Sequence, residues 1–266
     1  MTLRVTILGC GGSAGVPMIG GADGRGDWGA CNPRESRNRR TRSSIVLHGP
    51  SGNVLVDTSP DMRSQLLDCA VPRVDSILFT HAHADHILGI DDVRILNRIV
   101  GQPLDAIGTP TTLKEIAGRF DYAFRPWQPP WFFRPVLLPR FVDVGGTVEA
   151  GGLEITTFDQ DHGFMRTLGL RVGGFGYSTD VVDLDDAAFA ALRGVDTWVV
   201  GCFQRMPHKT HAHFDLVVDW SRAVGARRTV LTHMGNDMDW DWIHAHAPAG
   251  MEPGYDGLVL EIGARS

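Results

Sequence analysis

Three histidines and an aspartate crowd the run Thr80-His81-Ala82-His83-Ala84-Asp85-His86. Imidazole and carboxylate together suit zinc, manganese or iron. In extended backbone His81 and His83 point the same way, because side chains alternate along a strand. Asp85 and His86 stand where a following helix would begin, and they can turn toward a second ion. Four ligands cannot complete two metal sites, so the rest of the chain must supply more. Three further candidates each follow a strand-like run: His162 after 153–158, Asp180 after 175–179 and His233 after 229–232. A lone histidine after a strand is usually an ordinary surface or core residue. Candidates recurring at strand ends downstream of a dense ligand run are a different matter.

Those side chains need a scaffold that carries them to one place. The apolar run 74–79 reads as a buried strand, and a strand hands its carboxyl-terminal residues to the edge where α/β sheets place their sites. Strands are expected at 3–9, 44–48 and 53–57, the last two joined by the hairpin signal Gly49-Pro50-Ser51-Gly52. A helix is expected over 60–69, with Ser59 as cap and Pro60 at its first position. Helical character returns at 85–99 and 110–118. Strands follow at 153–158, 168–172 and 175–178, then a helix at 185–192 and a strand at 195–200. A helix at 213–224, a strand at 228–232 and a last strand at 257–262 complete the pattern. With no repeat and no linker, residues 1–266 read as a single α/β domain of two sheets with outer helices.

Two segments stand apart. Residues 10–43 form a Gly- and Arg-rich loop of a length that is usually functional or mobile. Residues 119–140 interleave Phe120, Tyr122, Phe124, Trp127, Trp131, Phe132 and Phe133 with five prolines, which excludes a long helix. That segment reads either as a flap or interface, or as an insertion packed on the core.

Composition narrows the function classes. Apolar residues make up 43% of 266, enough for a sizeable core, and the net charge of −6 argues against a general nucleic-acid surface. Cys10, Cys31, Cys69 and Cys202 lie far apart with no CxxC pair, which fits a reducing, cytoplasmic setting rather than a disulfide framework. Residues 1–8 read as a strand rather than a leader. No apolar run approaches about 18 residues, so no membrane span is expected.

The order His-x-His-x-Asp-His, then His162, Asp180 and His233, resembles the dinuclear pattern of metallo-β-lactamase-fold hydrolases. The strand-ending Val54-Leu55-Val56-Asp57-Thr58 matches that family's early aspartate motif. The resemblance implies an αββα sandwich, two mixed sheets flanked by helices. It assigns one metal to His81, His83 and His162 and the other to Asp85, His86 and His233. Asp180 would bridge them, and Asp57 would hold a ligand in place rather than bind metal. Two divalent ions per chain, zinc or manganese, are the cofactors implied.

The N-terminal stretch narrows the likeness. Leu8-Gly9-Cys10-Gly11-Gly12-Ser13-Ala14-Gly15-Val16-Pro17, then Cys31 and Arg39-Arg40-Thr41-Arg42-Ser43-Ser44, resembles the phosphoribosyl 1,2-cyclic phosphate phosphodiesterases of phosphonate degradation. Such enzymes open a cyclic phosphate by attack of a metal-bridging hydroxide, and the corresponding substrate here is a small ribose- or nucleotide-like phosphodiester. Asp85, through its free oxygen, would orient the attacking group. The family's non-ligand histidine falls 22 residues before the last metal histidine, at His211, and His213 is the reserve for general acid. Both could instead simply cap the helix that begins near 213. Arg39, Arg40 and Arg42 suit a second phosphate, or a solvated charged loop. Better-known members hold a structural zinc with three cysteines in the 18–31 loop and a histidine three residues past the last ligand. This chain has Cys31 and Asn236 there, so no structural zinc is expected. The loop must then be held some other way or stay mobile. Neither a membrane partner nor a stable nucleic-acid complex is expected, and the family likeness suggests a homodimer.

Other chemistries stay open on the same fold: a lactonase, a thioesterase, a tRNA-processing nuclease, an iron-binding redox protein or a non-catalytic binder. Ala84 stands where the redox branch usually carries a glutamate.

Overall fold

A computed structural model describes residues 2–263. Its strands are β1 (Leu3–Gly9), β2 (Ser44–Gly49), β3 (Gly52–Val56), β4 (Ser76–Leu78), β5 (Leu104–Gly108), β6 (Leu137–Phe141), β7 (Thr147–Ala150), β8 (Leu153–Asp161), β9 (Arg166–Val172), β10 (Phe175–Ser178), β11 (Thr197–Gly201), β12 (Arg228–Thr232), β13 (Met251–Pro253) and β14 (Val259–Ile262). The helices are α1 (Met62–Asp68), α2 (Ala84–Ile87), α3 (Val93–Val100), α4 (Pro110–Arg119), α5 (Asp121–Phe124), α6 (Asp186–Leu192), α7 (Phe214–Val224) and α8 (Trp240–His246). Two seven-stranded sheets result, ordered β14-β1-β2-β3-β4-β5-β6 and β13-β12-β11-β10-β9-β8-β7. Both are mixed: β3 to β6 run parallel in the first, β10 to β13 in the second.

The two-residue period of a strand builds the layers. Ile45, Leu47, Val54, Val56, Leu78 and Ile107 face the inter-sheet core with Ile155, Leu168 and Leu170. Their neighbours Val46, Leu55, Ile77 and Ala106 face the other way, onto Met62 and Leu66 of α1, Val93 and Leu96 of α3, and Leu113 and Ile116 of α4. On the second sheet, α6 and α7 bring Ala188, Leu192, Phe214 and Val217 into the core. The result is the expected sandwich of two sheets flanked by helices.

Several expectations shift. The helix placed at 60–69 starts at Met62, and the Ser59 hydroxyl accepts from the Asp61 amide at 3.1 Å. The helix expected over 85–99 breaks into α2, a 3₁₀ turn over Leu88–Asp92 and α3, because Gly89 packs directly on the Ser59 carbonyl and donates its amide to Thr58. The segment 119–140 splits. Its end becomes the edge strand β6, where Pro139 is tolerated. Its middle folds on itself, Trp127 stacking on Phe132 at 4.6 Å, and is tied to α3 by Arg98 donating to the Phe132 carbonyl.

Candidate metal centre

Strand ends deliver the site: parallel strands place all but His162, which leaves the antiparallel β8. Asp57 follows β3, the 81–86 run follows β4, His162 follows β8, Asp180 follows β10 and His233 follows β12. Asp57, Asp180 and His233 all take left-handed backbone, with φ of 64°, 50° and 52°. Non-glycine residues are held there only where the surroundings over-determine them, which is typical of functional sites.

The ligand atoms gather in two groups that share Asp180. His81, His83, His162 and Asp180 form one; Asp85, His86, His233 and Asp180 form the other, with ligand atoms in each group within 4.8 Å of one another. The two carboxylate oxygens of Asp180 divide between them. Oδ2 lies 3.1 Å from His86 Nε2 and 3.2 Å from His233 Nδ1. Oδ1 lies 3.6 Å from His162 Nε2 and 3.9 Å from His81 Nε2. Burial works against charge on Asp180, yet His233 and His86 hold its pKa well below the usual carboxylate value.

The unclaimed ring nitrogens fit a cation. His81 Nε2, His86 Nε2 and both ring nitrogens of His233 are buried without a hydrogen-bond partner. Such orphans are costly in a native interior, and a cation in each group would satisfy them. Burial opposes a charge on His86, but Asp180, Asp85 and Asp57 together hold its pKa well above the ordinary imidazole value. Positive charge is what this pocket is built to receive. The residues present therefore fit two divalent ions.

Behind the ligands a second layer fixes ring orientation. Asp57 Oδ2 accepts from His86 Nδ1 at 2.7 Å and from the Thr80 hydroxyl at 2.8 Å, while its Oδ1 accepts from the Thr80 amide. The same hydroxyl lies 2.9 Å from His81 Nδ1. Both rings thereby present Nε2 to the cluster, as metal-binding histidines require. Thr80 had no role assigned from sequence; a hydroxyl directly before the ligand run was the available signal. Thr80→Val, which keeps the shape and removes the hydroxyl, is expected to destabilise the metal-stripped protein by about 1–3 kcal/mol. Urea denaturation reads this directly, and an unchanged midpoint would remove Thr80 from the supporting layer.

His211 joins the cluster outside both ligand groups. Its ring lies 4.7 Å from that of His162 and 4.9 Å from that of His233, and its Nδ1 is 3.9 Å from Asp180 Oδ1. Burial and His233 push its pKa down to about 3. Phe203 and His208, neither singled out from sequence, line its outer side at 4.9 and 5.3 Å. His213 is a correction: it occupies the N-cap position of α7 and makes no ring contact with the ligands. A second correction concerns the arginines. Arg40 is buried at 2% exposure, and its two terminal nitrogens are hydrogen-bonded inside the protein. Arg42 pairs with Asp61 at 3.1 Å, and Arg39 lies over the Trp28 ring at 5.0 Å. Arg40 is therefore not free to meet a substrate.

Known proteins share this architecture. The family profile of a beta-lactamase superfamily domain matches residues 52–234. A solved structure described as a new diphosphatase from the PhnP family is 32% identical, with 98% of each chain covered and a TM-score of 0.88. The octanoyltransferase of Porphyromonas gingivalis is 28% identical over 263 residues, 98% of this chain and 52% of that protein. This chain thus spans about half the length of that relative. Anti-Pycsar protein Apyc1 of Bacillus phage BSP38 is 34% identical over 84 residues, 30% of this chain and 32% of that protein. No helix among the described residues is long and apolar enough to cross a membrane.

Proposed function

Because the chain belongs to the beta-lactamase superfamily, and within it to the PhnP family, we propose that it is a two-metal phosphodiesterase that opens a cyclic phosphate of a small ribose- or nucleotide-like substrate. The observation that carries this reading is Asp180, whose two oxygens face two separate ligand groups while non-ligand His211 sits against it. Two divalent ions, zinc or manganese, would supply a water of lowered pKa and offset charge building on the phosphoryl oxygens. His81, His83 and His162 would hold one ion, and Asp85, His86 and His233 the other, with Asp180 shared. The Asp85 carboxyl, kept ionised by His86 against the penalty of burial, has a second oxygen with which to orient the attacking group. His211, whose Nδ1 lies 3.9 Å from Asp180 Oδ1, would donate a hydrogen to the departing oxygen. Thr80 and Asp57 keep the rings from turning during turnover.

Likeness to an octanoyltransferase supports an acyl-ester reading more weakly, since only half of that protein is spanned. The test compares a 2′,3′-cyclic nucleotide, bis(p-nitrophenyl) phosphate and an octanoyl thioester, each with zinc- and manganese-loaded protein. Turnover of the two phosphodiesters, with the cyclic one preferred, is expected. Thioester hydrolysis alone would replace the proposal with the acyl reading.

A further inference from the structure

Four buried imidazoles face the two ligand groups, and three are aimed by a hydrogen bond on the ring. His81 Nδ1 meets the Thr80 hydroxyl, His86 Nδ1 meets Asp57, and His162 Nδ1 donates to the Thr210 carbonyl at 2.7 Å. His233 is the exception: neither ring nitrogen has a hydrogen-bond partner, and its backbone is left-handed. Beyond the approach of Asp180 and the stacking of His86 and His211 on its ring, its aim comes from the loop that carries it, residues 233–239 between β12 and α8.

That loop is held by the 203–205 segment, where the Gly235 amide donates to the Phe203 carbonyl and the Arg205 amide to Asp237, and by the N-terminal loop. The Met234 amide donates to Cys10 and its carbonyl accepts from Gly12, while the Asn236 carbonyl accepts from Ala30 and Cys31. At the centre is Arg40. Its guanidinium donates to the Gly235 carbonyl at 3.3 Å, the Met238 carbonyl at 2.6 Å and Asn38 Oδ1 at 3.1 Å, with the Cys31 sulfur at 3.9 Å. Asn38 passes the connection on: its Nδ2 donates to Asp239 Oδ2 at 2.8 Å, and its Oδ1 accepts from the Trp240 amide at 2.8 Å. Asp239 in turn accepts from the Asn32 amide at 2.9 Å. A buried guanidinium is tolerated only where its donors are matched; here each terminal nitrogen spends a bond on a carbonyl of the metal-facing loop, one on Gly235 and the other on Met238, while Nε is left without a partner.

We propose that Arg40 is a positioning residue for His233: it clamps the 233–239 loop and so sets affinity for the ion held by Asp85, His86, Asp180 and His233, leaving the His81–His83–His162 group alone. The same clamp fastens the 30–31 end of the long N-terminal loop. This inference rests on the two-ion reading above. A lysine cannot replace the clamp, because a point charge lacks the planar fork that spans two carbonyls and an amide.

The test is zinc titration of metal-stripped protein, with melting temperature recorded alongside. Wild type should bind two ions. Arg40→Met should weaken one binding event by about 10–100-fold, the usual cost of losing an outer support, and leave the other within about twofold. Arg40→Lys should recover little. In a His83→Ala background, where only the other group is whole, the remaining event should be the weakened one. If Arg40→Met does not fold, Asn38→Ala is read in the same way. Two unchanged events, or two that weaken equally, overturn the inference while leaving the two-ion reading intact. A wild type that binds fewer than two ions overturns both.

Discussion

Asp180→Asn is expected to weaken both ions together, each by more than the roughly 10–100-fold that loss of a mere supporting partner costs. The reason is geometric. One oxygen of Asp180 lies 3.1 and 3.2 Å from His86 and His233, the other 3.6 Å from His162. Asparagine keeps the shape but replaces one acceptor oxygen with a donor nitrogen and removes the charge. One group would then face an N–H where it needs a lone pair, and both would lose the buried negative charge that draws cations in. The left-handed backbone at 180 tolerates asparagine well, so the change should not disturb the turn. Asp85→Asn is the control, since Asp85 belongs to one group only. Metal content after dialysis, followed by titration, separates the two variants. If Asp180→Asn kept one ion at wild-type affinity, the carboxylate would not be shared and the bridging geometry would be wrong.

Much of this centre was legible because each of its residues lies at the end of a strand whose apolar run is readable. Asp57, the start of the 81–86 run, Asp180 and His233 fall within three residues of such an end, Asp85 and His86 lie in the short helix α2 that follows, and parallel strands bring their ends to one edge. What stayed illegible depends on distant partners. Arg40 sits in an arginine-rich stretch and reads as a phosphate-binding surface, but its acceptors on Gly235 and Met238 are nearly 200 residues away. His211 and His213 could not be separated by alternation, since an extended segment points both the same way. The fold separates them by starting α7 at Phe214, which puts His213 at the N-cap position, where its side chain makes no capping bond. The strands β6 and β7 escaped notice because edge strands need neither a continuous apolar run nor freedom from proline. Helix α8, Trp-Asp-Trp-Ile-His-Ala-His, buries only Trp240 and Ile243, too little for a helical period to stand out.

His211→Ala is expected to lower kcat by about 10²–10⁴ for a cyclic nucleotide and far less for bis(p-nitrophenyl) phosphate. Opening a cyclic phosphate expels an alkoxide, which leaves slowly unless a hydrogen is donated to it. A p-nitrophenolate leaves unaided. A hydrogen donor should therefore matter in proportion to how poor the leaving group is, whereas a residue that only shapes the pocket should affect both substrates alike. The position supports the donor role: the ring stands against Asp180 and near His162 and His233, yet belongs to neither ligand group. In the free protein burial and His233 keep this imidazole neutral, so its N–H donates a hydrogen bond to an incoming substrate, and proton transfer from it requires that the bound anionic phosphodiester first draw a proton onto the ring. His211→Gln refines the reading, since the amide can donate a hydrogen bond but cannot surrender a proton. Full recovery by glutamine would assign His211 to hydrogen bonding of the leaving oxygen. No recovery, with the leaving-group dependence intact, would assign it to proton transfer. An equal loss on both substrates would strip His211 of either role and leave the departing oxygen to solvent.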